Sequence, residues 1–124
     1  MQPQNMYGVS DIDSLRSLRF SRPRDMLSLH RFAERFRYDM ERLEMLSHLA
    51  PGTAQGNPFS HRLQKFMAET LELVSAHLAL EGDLDEAIHW FKTAGLAAFG
   101  GRTPEALVAD GQFRAVAASL AAQH

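Results

Sequence analysis

The sequence predicts an all-α protein, a compact helical bundle, and three observations carry that expectation. Apolar residues recur at spacings of three and four. Runs that alternate β-branched with polar residues are missing, and Ser, Thr, Asn and Asp repeatedly stand just ahead of an apolar face, as helix caps do. The chain has 124 residues, 45% of them hydrophobic and 23% charged, which is the make-up of one globular domain and not of a disordered chain.

Residues 1–20 are expected to form an arm, with a short turn of helix after Asp11. A helix-turn-helix-like region follows over 21–57. Its first helix is read over about 22–36, because Ser21 precedes Pro23 as a cap precedes a first-turn proline and Met26, Leu29, Ala33 and Phe36 share a face. A break near Arg37 and a cap at Asp39 introduce a second helix, with Met40, Leu43 and Leu46 at helical spacing. The segment Ala50 to Pro58 collects two Pro and two Gly and reads as a loop.

A helical domain is then expected over 58–124. Asn57 before Pro58 reads as the start of a long helix whose stripe of Leu63, Phe66, Met67, Thr70, Leu71, Val74 and Leu78 makes it the spine of the core. Gly82 reads as its end, and Asp83 with Glu86 as a capping box for a shorter helix through Trp90 and Phe91. A loop with three Gly leads to Thr103-Pro104, a second cap-then-proline signal, and Phe113, Val116, Ala117 and Leu120 make a last apolar face.

Composition excludes several kinds of chemistry. Cys is absent, so disulfides, thiolate metal sites and Cys nucleophiles are ruled out. No stretch approaches the roughly 18 apolar residues of a membrane span, and Met1 to Gly8 lack an apolar signal segment, so a cytoplasmic protein with no membrane partner is expected. Glu86 and His89 could ligate a metal from one helix face, but no second such pair exists and HExxH is absent; no metal and no cofactor are expected. Gly95 to Thr103 approaches a Walker A loop and fails at the Gly-Lys step. With no nucleophile set beside a base, the chain does not read as an enzyme.

Charge is divided along the chain. Residues 1–65 carry ten Lys and Arg against seven Asp and Glu, and 66–124 carry three against eight, leaving +3 and −5. A basic stripe of this kind suits phosphate, an acidic protein face or the acidic half of a second copy. Arg31, Arg35, Arg37 and Arg42 are the candidate DNA contacts of the helix pair. The second helix offers Arg42 alone against Asp39, Glu41 and Glu44, so the arm and first helix would supply most of the attraction. An ordinary solvated face accounts for the same arginines.

The stretch Asp83 to Leu120 carries Glu86-Ala87, Trp90-Phe91-Lys92-Thr93 and the block Phe99-Gly100-Gly101-Arg102-Thr103-Pro104-Glu105-Ala106-Leu107, then Gly111 and the spaced Val116 and Leu120. In that order and spacing it resembles the C-terminal toxin-binding domain of the MbcA/ParS/Xre antitoxin family. The resemblance implies the antitoxin of a type II toxin–antitoxin pair, whose partner is a RES-domain toxin acting on NAD and whose role is to cover that toxin's active-site cleft. It also implies a homo-oligomer such as a dimer, and an upstream helix-turn-helix that binds operator DNA and autorepresses. The partner-binding residues it implies are Trp90, Lys92, Gly100, Gly101, Arg102, Thr103 and Pro104, although core packing accounts for Trp90 as well. The sequence departs from the family pattern at Arg37, where a Gly is common, and in its acidic second helix. The alternative reading is a helical DNA-binding transcriptional regulator without a toxin partner.

Overall fold

The computed structural model describes residues 26–122, and these form a compact all-α fold of seven α-helices with no strand among them. The arm expected over 1–20 lies outside the described residues. The helices are α1 (Leu29–Phe36), α2 (Met40–Leu46), α3 (Thr53–Gly56), α4 (His61–Glu81), α5 (Leu84–Thr93), α6 (Pro104–Ala109) and α7 (Phe113–Ala121), with a 3-10 turn at Ala97–Phe99 between α5 and α6. No helix among the described residues is long and apolar enough to cross a membrane.

Helix α4 is the spine. It packs against α2, α5, α6 and α7, and all seven residues of the expected stripe are buried. Leu73 is buried too, at 1% exposure, because a helix with neighbours on several sides buries more than one stripe. Gly82 ends it with φ 81°, a left-handed conformation that costs an L side chain free energy and glycine nothing.

The first helix among the described residues begins at Leu29, and the start expected at Ser21 to Pro23 lies outside the described residues. Ser28 caps it, its hydroxyl accepting from the Arg31 N–H, while the Leu27 backbone is held outside the helix by Gln64, which accepts from the Leu27 N–H at 2.8 Å and donates to its carbonyl at 2.9 Å. The long helix begins at His61 and not at Pro58, since Ser60 takes the capping role from Asn57 and accepts from the Leu63 N–H. The loop expected over 50–58 contains one helical turn, α3, whose entry is tied down by Glu44: its carboxylate accepts from the Gly52 and Ala54 N–H groups, both at 3.0 Å.

The remaining caps fall where the sequence puts them. Asp39 accepts from the Arg42 N–H at 2.7 Å, and Thr103 accepts from the Ala106 N–H with Pro104 in the first turn. Asp83 caps α5 through the Asp85 N–H, but Glu86 does not complete a capping box, being drawn instead to His77 at 3.0 Å.

Candidate functional site

The Gly-rich block forms a small closed loop. Leu96 and Arg102 pair antiparallel, with the Leu96 N–H donating to the Arg102 carbonyl at 3.0 Å and the Gly101 N–H to the Leu96 carbonyl at 2.9 Å. Gly100 and Gly101 turn the chain at φ 69° and 83°, in the left-handed region. Gly95 serves differently: a Cβ there would stand 2.8 Å from the Gly101 carbonyl oxygen, so the loop closes only because that position has no side chain. Gly100, Gly101 and Arg102 lie exposed at the surface, and Thr103 with Pro104 starts α6 directly behind them. The Arg102 side chain is 46% exposed and pairs with Asp110 at 3.2 Å, an exposed contact of little energetic weight.

The residues on either side of this loop grip the turn of the helix pair. Glu105, buried at the start of α6, accepts from the Tyr38 hydroxyl at 2.6 Å and from Arg42 at 2.6 Å. Lys92, near the end of α5, donates to the Phe36 carbonyl and to the Arg37 carbonyl at 3.3 Å, and its ammonium lies 4.2 Å from the centre of the Tyr38 ring. Burial holds that ammonium below its ordinary pKa; Glu105 offsets part of the effect, and the charges of Arg37 and Arg42 add to it. Tyr38 stacks beside Phe32 and Phe36 and meets the Phe66 edge. Burial, then the hydrogen bond and the charge of Glu105, push its phenol well above the ordinary 10.0.

Arg37 sits at the apex of that turn with φ 59°, a left-handed conformation in which a Gly would be unstrained. Its cap N–H satisfies the last carbonyls of α1, at Ala33 and Glu34. Across the fold, His48 is the other non-glycine residue with positive φ among those described, and its ring bonds the Ala109 carbonyl at the end of α6.

The candidate DNA contacts are thus differently engaged. Arg35 pairs with Asp85 at 3.0 Å and Arg42 with Glu105, while Arg31 and Arg37 are exposed. Of the acids on α2 and its cap, Glu44 is buried, whereas Asp39 and Glu41 are exposed, so only one of the three carboxylates is withdrawn from solvent. Trp90 is half-buried, lying flat against the His77 ring at 4.2 Å between centres, and Phe91 beside it is fully buried. No group of three His, Asp or Glu among the described residues is arranged to hold a metal ion.

Sequence reasoning found the loop and its cap but missed Tyr38, Glu105 and His48. Glu105 enters the sequence reading only as a member of the Phe99 to Leu107 block, and nothing local marks it as buried. Comparison with protein-family models, with curated proteins and with solved structures gives no match for this chain.

Proposed function

We propose that this chain is the antitoxin of a type II toxin–antitoxin pair, which neutralises a RES-domain, NAD-targeting toxin by binding it and covering its active site. The observation that carries the reading is the exposed Gly100-Gly101-Arg102 turn, whose backbone is fixed from behind by the Leu96–Arg102 pairing and the Thr103 cap. A turn already held in one shape loses little entropy on docking, and occlusion needs no catalytic group. The weak, exposed Arg102–Asp110 pair leaves the guanidinium able to exchange its partner for a carboxylate or phosphate on the toxin.

In this reading Arg102 makes the contact, Thr103 and Pro104 hold the helix behind it, and Lys92 ties the loop to the turn of the helix pair. Trp90 contributes through its half-exposed edge. Self-association as a dimer, operator binding through Arg31, Arg35, Arg37 and Arg42, and residence in the cytoplasm belong to the same proposal.

Co-expression with a RES-domain toxin encoded beside it is the test. The chain is expected to restore growth and to co-purify with the toxin, and Arg102→Ala to weaken the complex by about tenfold or more, as loss of a central arginine contact does. A chain that neither rescues growth nor co-purifies ends the proposal.

A further inference from the structure

We infer that the cleft between α2 and the start of α6 receives an acidic, partly apolar segment of a protein partner, so that the docking surface is built by both halves of the chain and not by the Gly-rich turn alone. This goes beyond the antitoxin reading, because it requires a partner of that chemistry whichever protein supplies it.

The cleft holds about 460 Å³ and is walled by Arg42, Met45 and His48 on one side and by Lys92, Arg102 and Asp110 on the other. A recess of about 310 Å³ adjoins it, sharing Arg42, Lys92 and Glu105 and adding Arg37. Four cations from four segments of chain therefore border one depression: Arg37 from the turn, Arg42 from α2, Lys92 from α5 and Arg102 from the loop.

The carboxylates in the same depression are largely committed. Both Glu105 oxygens are used, by Tyr38 and by Arg42, and Asp39 accepts from the first turn of α2. Asp110 holds Arg102 only in the exposed pair at 3.2 Å. Arg37 forms no ion pair with any described residue and carries its charge at the rim. Four cations thus face three carboxylates, Asp39, Glu105 and Asp110, and the guanidinium groups a visitor meets at the rim are the unpaired Arg37 and the weakly paired Arg102.

Met45 decides between a protein and a nucleic acid. It is 55% exposed, more than any other large hydrophobic residue among those described, and it lines this cleft. An adaptable apolar side chain beside two guanidinium groups matches a segment in which a carboxylate neighbours an apolar residue. A run of phosphates on sugar would give Met45 no apolar partner, so the exposed thioether, not the charge, is what favours a protein segment.

The test is an NMR titration of the full ¹⁵N-labelled chain with a blocked peptide in which Glu alternates with Leu, and with its Gln-for-Glu counterpart. The Glu peptide is expected to shift the amides of Arg37, Met45, Lys92 and Arg102, and the Gln peptide to leave them largely unmoved. The shifts are expected to vanish in the Arg37→Gln, Arg102→Gln double variant and to persist in Arg114→Gln, where the exposed arginine lies on α7. The inference is overturned if the Glu peptide moves no residue of the cleft, or if duplex DNA moves them in its place. It is equally overturned if the protein alone moves them as its concentration rises, which would assign the cleft to a second copy. Cleft shifts without RES-toxin co-purification sink the antitoxin reading alone; co-purification without cleft shifts sinks this one alone.

Discussion

The Tyr38 hydroxyl donates to Glu105 Oε2 at 2.6 Å across 67 positions of sequence, joining the turn of the helix pair to the first turn of α6. Both groups are buried, and Arg42 takes the other carboxylate oxygen. Removing either member strands the other away from water, which costs about 1–3 kcal/mol. Tyr38→Phe and Glu105→Ala are each expected to destabilise the fold by that order. The two losses together should fall short of their sum, and urea unfolding of the four chains of the double-mutant cycle measures the shortfall.

The same phenol gives the fold an alkaline limit. Its folded pKa lies above its unfolded value of 10.0, so the stability it contributes is complete below pH 10 and drains away as pH climbs beyond it. The slope is about 1.4 kcal/mol per pH unit for one group. Lys92 works in the opposite sense. Its folded pKa lies below 10.5, so the fold bears a cost while the amine is charged, and that cost is relieved as pH rises toward 10.5. Urea midpoints followed across the alkaline range should therefore fall above pH 10 in the wild type. Tyr38→Phe, though less stable at neutral pH, should lose that fall.

Gly95 and Gly101 should respond to alanine for different reasons. At Gly95 the new methyl meets the Gly101 carbonyl oxygen at 2.8 Å, a backbone atom that moves only if the loop opens. At Gly101 nothing lies within 4 Å, and the cost is that of holding a side chain at φ 83°, about 1 kcal/mol. Gly95→Ala is expected to cost about 1–3 kcal/mol and to lower partner affinity by displacing Arg102, whereas Gly101→Ala should cost less and leave the Leu96–Arg102 pairing intact. Amide exchange at Leu96, whose N–H donates to the Arg102 carbonyl, separates the two outcomes.

What the sequence revealed and what it concealed divide along one physical line. Asp39, Gly82 and Thr103-Pro104 announce helix ends through groups within three residues of the end they satisfy, and each performs that role in the fold. Asn57-Pro58 carries the same signal, yet Ser60 caps the long helix, and Gln64 holds both the Leu27 backbone and the Pro58 carbonyl outside the helices. Gln64 is one polar residue on a long helix, and nothing near it in sequence marks its partners. Glu44 and Glu105 were concealed in the same way: a carboxylate on a short helix looks solvated until the segment that buries it is in place. The Arg102 loop was legible because its glycines and its cap are local; its attachment to Tyr38 and Arg42 was not, because it depends on tertiary contacts.

Thr70 stands in the buried stripe of α4 at 0% exposure, and its hydroxyl has no hydrogen-bond partner among the described residues. A buried hydroxyl that gave up water and gained nothing in return lowers stability, and replacing it with a methyl of similar size removes that penalty without opening a cavity. Valine keeps the β-branched shape, and the neighbours along the stripe, Phe66, Met67, Leu71 and Val74, are all apolar and buried. Thr70→Val is therefore expected to raise stability by about 1 kcal/mol, against the usual direction for a core substitution. Thr70→Ser is expected to lower it, since that change keeps the stranded hydroxyl and removes the methyl. Thermal unfolding of the two variants beside the wild type gives the order Val above Thr above Ser; if Val instead falls below Thr, the hydroxyl has a partner in solution.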